Sequence, residues 1–507
     1  MSNSQPTSQG PDLSLGVAIS DIPASGLLKG HVGEEDVLLA RGSSNSYFAI
    51  NAHCTHYHGP LHEGLLDGDT VRCPWHHACF SLLTGEALRA PAFDPVVCWN
   101  VEVRGEKIFV LGKKETSPHI LQKSSGPRPS RIVIVGGGAA GFAAAERLRR
   151  DKFDGNIVML SAEMDAPVDR PNLSKDYLAG TAQEEWVPLR AKGWYDDNDV
   201  DLRLNTRAVK IDADAREVEL GDGTRASYDC LLLATGAEPI RLNIPGADQE
   251  NVHTLRSLTD CRSIIAAAQR ARRCVVIGAS FIGLEVAAAL RTRKLDVHIV
   301  APEKRPLEKI FGAEIGDFVR TLHEEKGVVF HLEDTVTSIG SKQVRLKGGQ
   351  TIDADLVVVG IGVRPRTELA DKAGLKVDDG VLVNEYLETN APGIFAAGDV
   401  ARWPDRYGRE NIRVEHWVVA ERQGNAVAHA ILGVRKPYQD VPFFWSQHYE
   451  VPINYVGHAH DWDTLDIDGD IRGRDCVVRY RKNGIVRAVA SIYRDIESLA
   501  AEIEMER

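Results

Sequence analysis

At 507 residues the chain is too long for a single compact core, so two to four domains are expected. Its composition is that of an ordinary globular protein, and a formal charge of −12 argues against nucleic acid or an anionic membrane as the main partner. The N-terminus lacks signal- and transit-peptide features, no run of about 18 apolar residues occurs, and the eight cysteines are neither dense nor regularly spaced, which points away from membrane insertion and a secreted disulfide scaffold and toward a reducing, cytoplasmic setting.

Residues 1–112 read as an all-β domain. Short apolar runs ("DVLLA", "SYFAI", "KIFVL") alternate with Gly, Asn and Asp turns. This segment carries 6 Lys/Arg against 12 Asp/Glu. Within it stand Cys54-Thr55-His56 and, after sixteen intervening residues, Cys73-Pro74-Trp75-His76. Two thiolates and two imidazoles suit a tetrahedral zinc ion. They equally suit a 2Fe-2S cluster with both Cys on one iron and both His on the other. Zinc knuckles usually pair like spacings, so the mixed Cys-x-His and Cys-x-x-His fits the cluster better.

The stretches "CTHYHGPLHEGL" and "CPWHHACFSLLTGE" resemble the two loops of a Rieske domain. That resemblance implies Cys54, His56, Cys73 and His76 as cluster ligands. His53, His58, His62 and His77 are then loop neighbours, and Cys79 and Cys98 packing thiols. Where many Rieske domains have Gly after the second His ligand, this chain has His77, whose role the sequence leaves open. High-potential relatives of this type place Ser and Tyr hydroxyls against the cluster sulfurs and join the loops by a disulfide. Here the matching positions are Ala78, Phe80 and Trp75, which implies a low potential, roughly −150 mV.

Residues 113–130, rich in Ser, Pro and Lys, read as a linker. Beyond them apolar runs alternate with Ala-rich helical stretches, the texture of parallel sheets with crossover helices. The plan repeats. "RIVIVGGGAAGFAAAERL" (131–148) is echoed by "CVVIGASFIGLEVAAAL" (274–290), and "YDCLLLATGAEP" by "ADLVVVGIGVRP". Two nucleotide-binding lobes follow, one at 131–257 and 377–440 around another at 258–376; resemblance of their motifs to two-dinucleotide flavoproteins implies FAD in the first and NAD(P) in the second. A small α+β module at 441–507 closes the chain. The expected fold class is therefore multidomain: all-β, then α/β with two Rossmann-like lobes, then α+β.

In the first lobe Gly136, Gly138 and Gly141 form a Gly-x-Gly-x-x-Gly turn between strand and helix, suited to a pyrophosphate, with Glu163 as the ribose anchor. Ala234-Thr235-Gly236 and Asp399, the latter placed after a strand and before a helix, resemble the further nucleotide contacts of two-dinucleotide flavoproteins. "DRPNLSKDYL" resembles the flavin loop of rubredoxin- and ferredoxin-reductase-type enzymes, implying Arg170 and Lys175 at the flavin. "VEHWVVAERQG" resembles their segment near the isoalloxazine, implying Glu415 and Trp417.

In the second lobe Gly278, Ser280 and Gly283 repeat the turn, with a Ser hydroxyl available to a phosphate. Glu285 and Gly362 join the cofactor-binding set, and the resemblance makes Lys175, Glu285 and Trp417 the catalytic candidates. Glu303 would take a free ribose hydroxyl, whereas Lys304 or Arg305 would meet a 2′-phosphate, so NADH is favoured and NADPH stays open. No closely spaced cysteine pair adjoins either turn, which argues against a thiol–disulfide reductase.

The whole chain resembles Rieske-containing, apoptosis-inducing-factor-like FAD oxidoreductases. The resemblance implies FAD, a 2Fe-2S cluster and NADH as cofactors. It also implies a redox-protein acceptor (ferredoxin, cytochrome or oxygenase) and a monomer or homodimer with neither nucleic acid nor membrane insertion. The alternative is a redox-sensing flavoprotein with slow NADH oxidation. A Rieske oxygenase is excluded because reductase motifs occupy the chain from residue 131.

Overall fold

The computed structural model describes residues 10–116, 128–406 and 410–507, so most of the expected linker lies outside the described residues. The chain forms two compact units. One comprises Met1–Gln122, Tyr455–Gly457 and Arg494–Arg507, and the other Lys123–Asn454 and His458–Tyr493.

The first unit has a six-stranded sheet in the order Val17–Ala18, Lys107–Lys114, Cys98–Arg104, Tyr47–Asn51, Glu35–Arg41, Leu27–Val32. A four-stranded meander accompanies it, Leu65–Asp67, Thr70–Arg72, Cys79–Ser81 and Ala87–Arg89. The run "VLLA" is buried throughout because the strand has a core on each face. Leu38 and Ala40 enter one cluster with Ile50, Leu61, Val71 and Phe80, while Val37 and Leu39 enter another with Leu13, Trp99 and Ile108. Alternation with period two sends successive side chains to opposite cores. The C-terminal helix Asp495–Glu506 also belongs to this unit, although sequence reading kept it with residues 441–507. Its buried face carries Ser498, Leu499, Glu502 and Ile503.

The second unit contains the repeat. One five-stranded parallel sheet runs Val200–Arg203, Asn156–Leu160, Arg131–Val135, Cys230–Leu233, Ile394–Ala396. The other runs Val328–Leu332, Asp296–Ala301, Arg273–Ile277, Leu356–Val359, Val252–Thr254. Ile132–Val135 and Cys274–Ile277 are buried without interruption, as strands covered on both faces must be. Each lobe also carries a three-stranded antiparallel meander, Ala208–Ser227 in the first and Val336–Asp353 in the second.

Helix Trp417–Ile431 lies against helix Ala139–Arg150 at Gly424, where a Cβ would meet the Ala140 carbonyl oxygen at 2.3 Å. Only glycine permits that approach. The helix expected straight after Asp399 is absent. The chain instead makes the short strand Ala401–Pro404, and the next helix starts at Trp417. The β-rich segment "VARWP" prefers extended backbone, and Pro404 cannot donate a helical hydrogen bond.

The multidomain class is as expected, an all-β domain followed by two α/β lobes and a β-rich C-terminal segment. Thr464–Asp470, Asp475–Lys482 and Ile485–Ile492 pair antiparallel in that segment. Among the described residues no helix is long and apolar enough to cross a membrane.

Candidate functional site

In the first unit the two cysteine–histidine loops have the same backbone. Cys54 N–H donates to the Gly59 carbonyl at 2.8 Å, and His58 N–H donates back to the Cys54 carbonyl at 3.0 Å. Cys73 N–H donates to the Ala78 carbonyl at 2.8 Å, and His77 N–H to the Cys73 carbonyl at 3.2 Å. The residue four past each cysteine is left-handed, His58 with φ 58° and His77 with φ 60°. That conformation ordinarily favours glycine. At Gly59 a Cβ would meet Cys73 Sγ at 2.8 Å, so the first loop closes on the second only with glycine there.

These loops bring the predicted ligands together as two like pairs. The Cys73 thiol donates to Cys54, which holds Cys54 below the ordinary thiol range and raises Cys73. His56 Nδ1 faces His76 Nδ1 at 3.3 Å, with the rings edge-to-face. Burial pushes His56 down to about 4, so its imidazole is neutral and keeps a lone pair. Among the described residues no three His, Cys, Asp or Glu converge as a single-ion site. A sulfur pair beside a nitrogen pair fits two irons better than one tetrahedral ion. Tyr57, which sequence reading did not single out, stacks on His56 at 4.0 Å between centroids and is 38 % exposed.

The neighbouring residues have structural partners. His53 pairs with Asp36 at 2.9 Å, and His62 lies 3.6 Å from Glu63. His77 is fully buried, with Nδ1 at 2.9 Å from Glu502 and Nε2 at 3.3 Å from the Ser498 hydroxyl. Cys79 and Cys98 are buried, and Ala78 and Phe80 have no exposed surface.

In the second unit a cleft of about 860 Å³ collects most of the other predicted residues. Its lining includes Gly136, Gly138, Glu163, Arg170, Lys175, Ala234, Thr235, Gly236, Ser280, Glu285, Gly362, Asp399, Glu415 and Trp417. Gly141, Gly278 and Gly283 stand behind the two turns. A Cβ at Gly141 would meet the Gly136 carbonyl at 2.0 Å, and one at Gly283 the Gly278 carbonyl at 2.2 Å. A Cβ at Gly138 would meet nothing nearer than 3.7 Å, leaving open backbone at the start of helix Ala139–Arg150 for a phosphate. The residues present therefore fit a dinucleotide.

Two expectations change. The Ser280 hydroxyl is not available to a phosphate: it donates to the Gly360 carbonyl at 2.7 Å and accepts from Gly283 N–H at 3.3 Å, capping helix Phe281–Thr292. Glu303 is half-buried and outside the lining of this cleft.

Lys175 and Glu285 meet at 2.8 Å, and Glu285 is 4 % exposed. The carboxylate also accepts from the Ser174 hydroxyl at 2.6 Å and the Ser446 hydroxyl at 2.7 Å. Lys175 Nζ stands 5.9 Å from the Trp445 ring centroid. Asp399 is paired with Arg256 at 2.6 Å, Glu163 with Arg170, and Glu415 with Arg413. Ser446, Trp445 and Arg256 were not singled out in the sequence because Ser, Trp and Arg there carry no spacing signal; Ser174 stood inside the quoted flavin-loop stretch, and contact across the fold selects all four.

The strand order, the doubled glycine turn and the paired thiols and imidazoles together define an iron–sulfur flavoprotein oxidoreductase. Residues 16–114 match the Rieske [2Fe-2S] domain, and residues 130–424 match the pyridine nucleotide-disulphide oxidoreductase family. The chain belongs to that oxidoreductase family and carries a Rieske domain ahead of it. It is similar to apoptosis-inducing factor 3 of Homo sapiens, 32 % identical over 504 residues, covering 96 % of this chain and 82 % of the relative. Rhodocoxin reductase of Rhodococcus erythropolis is 40 % identical over 345 residues, 67 % of this chain and 81 % of the relative. Among solved structures, the covalent putidaredoxin reductase–putidaredoxin complex matches with TM-score 0.73 and 32 % identity, over 75 % of this chain and 94 % of that one. The protein is an NAD(P)H-dependent oxidoreductase that uses FAD and a 2Fe-2S cluster.

Proposed function

We propose that the protein is a reductase that passes electrons from NADH through FAD and its Rieske cluster to a one-electron acceptor such as a ferredoxin, a cytochrome or an oxygenase component. The observation that carries this is the ion pair between half-buried Lys175 and buried Glu285 in a cleft lined by both nucleotide turns. Bound flavin converts a two-electron hydride into single electrons, and a 2Fe-2S cluster takes them one at a time.

The chain's own residues prepare that exchange. Gly136 and Gly138 bring backbone close to the FAD pyrophosphate, while Ala234, Thr235, Gly236, Glu163 and Asp399 hold the rest of the nucleotide. Arg170 and Arg256 set the carboxylates of Glu163 and Asp399. Lys175 supplies a positive charge at the reacting end, held in place by Glu285 rather than by solvent. Cys54, Cys73, His56 and His76 hold the cluster. Trp417 and Glu415 border the cleft at the start of helix Trp417–Ile431.

NADH is favoured over NADPH because Arg305, one of the two candidates for a 2′-phosphate, is committed to Asp317 at 2.7 Å and Glu308 at 3.1 Å. The relatives named for reductase activity support a redox-protein acceptor.

Stopped-flow reduction by NADH, followed by EPR of the same sample, tests the reading. Rapid flavin bleaching and the signal of a reduced Rieske cluster are expected. An oxidised cluster beside fully reduced flavin would remove it from the electron path. Fast flavin reduction without onward transfer to cytochrome or ferricyanide would favour a redox sensor.

A further inference from the structure

Glu285 has a second set of neighbours that the hydride exchange does not use. Its Oε2 accepts from Ser174 and Lys175, and its Oε1 accepts from the Ser446 hydroxyl at 2.7 Å. Ser446 Oγ lies 3.2 Å from His448 Nε2, His448 Nδ1 lies 3.1 Å from His323 Nε2, and His323 Nδ1 lies 3.5 Å from the Tyr449 hydroxyl. Ser446, His448 and His323 are at most 1 % exposed, whereas Tyr449 is half-buried at the surface. Ser446 and His448 share one face of strand Phe443–His448 by the two-residue period, and His323 comes from helix Glu308–Glu325.

Chemistry orients every bond in this row. Ser446 has one proton and gives it to the carboxylate, so its oxygen accepts from His448 Nε2–H. A neutral His448 then has only Nδ1 to accept with, so His323 donates through Nε2–H. His323 Nδ1 in turn accepts from Tyr449 O–H. The whole row donates from the surface toward Glu285.

We propose that Tyr449, His323, His448 and Ser446 form a proton relay between solvent and Glu285. The proposal rests on the hydride-accepting reading above. Once the oxidised nicotinamide leaves, a delivered hydride has added one negative charge to the cleft that Glu285, itself a buried carboxylate, lines, and like charges there repel. Moving each proton one bond inward breaks the O–H of Tyr449, the Nε2–H of His323, the Nε2–H of His448 and the O–H of Ser446. It forms Nδ1–H on His323, Nδ1–H on His448, a new O–H on Ser446 and O–H on Glu285. Tyr449 regains a proton from water, so one solvent proton ends on Glu285 and no electron moves. Neutral Glu285 no longer offsets Lys175, whose charge then faces the cleft. The reverse shift restores the carboxylate after the electrons leave.

Two further observations agree. Burial pushes His448 to about 3 and His323 well below the ordinary range, so each keeps one N–H and one lone pair. Tyr449, with φ 58°, sits in the two-residue turn between strands Phe443–His448 and Val451–Gly457, at the surface end of the row. The charges around the ends are Lys175 at Glu285, and Lys326, Glu450 and Arg291 near Tyr449.

The test is anaerobic reduction of the full-length holoprotein in weak buffer with a pH-indicator dye. About one proton taken up per NADH oxidised is expected, in step with flavin bleaching. His448→Phe and Tyr449→Phe should slow that uptake on the order of a hundredfold, and added imidazole should restore it in His448→Phe. If packing around His448 collapses in its variant, Tyr449→Phe at the surface carries the test alone. In the wild type, 15N NMR should show both histidines as neutral Nε2–H tautomers. Uptake as fast in both variants as in the wild type, or Nδ1–H tautomers, would overturn the relay. Absence of NADH reduction would instead defeat the proposed function, and the relay would then be read by dithionite reduction, with the same variants expected to delay uptake.

Discussion

His77 Nδ1 stands 2.9 Å from Oε2 of Glu502, and neither side chain has exposed surface. The pair ties the second cysteine–histidine loop to the last helix of the chain, 425 residues away in sequence. Glu502 also holds Arg72 at 3.2 Å, and Glu506 takes Arg72 at 2.7 Å and also Arg89. A buried charged network that loses one member leaves the others desolvated, at a cost of about 3–5 kcal/mol. Glu502→Ala should therefore destabilise the first unit by about that amount, and removing residues 495–507 should cost at least as much. Denaturant unfolding followed by the visible absorbance of the cluster measures it. Unchanged midpoints would show that the helix is an accessory to the loop.

The cluster potential should lie near the low end of the Rieske range, roughly −150 mV. Ala78 and Phe80 are buried and offer no side-chain donor. One added hydrogen bond of about 1 kcal/mol corresponds to about 40 mV for a one-electron couple. Ala78→Ser and Phe80→Tyr should each raise the midpoint by about that much in a redox titration. A wild-type value clearly above zero would contradict the reading.

Lys175→Met removes the charged donor from Glu285 and leaves the Ser174 and Ser446 hydroxyls on it. A charge-assisted hydrogen bond of about 2 kcal/mol corresponds to roughly a thirtyfold fall in the rate of flavin reduction by NADH. Rapid-mixing kinetics at saturating NADH report this directly, and an unchanged rate would remove Lys175 from the reacting end.

Asp169, beside Lys175 in the flavin-loop segment, is pushed up to about 7, first by burial. Its folded value exceeds the unfolded one, so its stabilisation is complete below about pH 4 and is lost as pH rises through about 7. The difference amounts to roughly 4 kcal/mol at most. Asp169→Asn should flatten the fall in melting temperature between about pH 5 and pH 8. Glu421 is buried too and raised by burial and by Asp169, so it contributes in the same direction. An identical pH profile in the variant would assign the dependence elsewhere.

Several features were legible in the linear chain because their chemistry depends on local spacing. Cys54-x-His56 and Cys73-x-x-His76 specify two sulfurs and two nitrogens. The glycines at 136, 141, 278 and 283 specify turns in which a Cβ would strike a carbonyl. The echo of residues 131–148 at 274–290 specified two related lobes, and the strand order carries that repeat through.

Tertiary structure decided what depends on contact between distant segments. Ser280 looked like a phosphate donor, yet its hydroxyl caps its own helix and donates to Gly360. Nothing near His77 announces Glu502, and nothing near Glu285 announces Ser446, His448 and His323. Those partners are chosen by burial: a polar group removed from water must find a complement, and the fold determines which one is within reach. The sequence by itself determined the cofactor-bearing loops, and only the three-dimensional packing determined how their charges and protons are held.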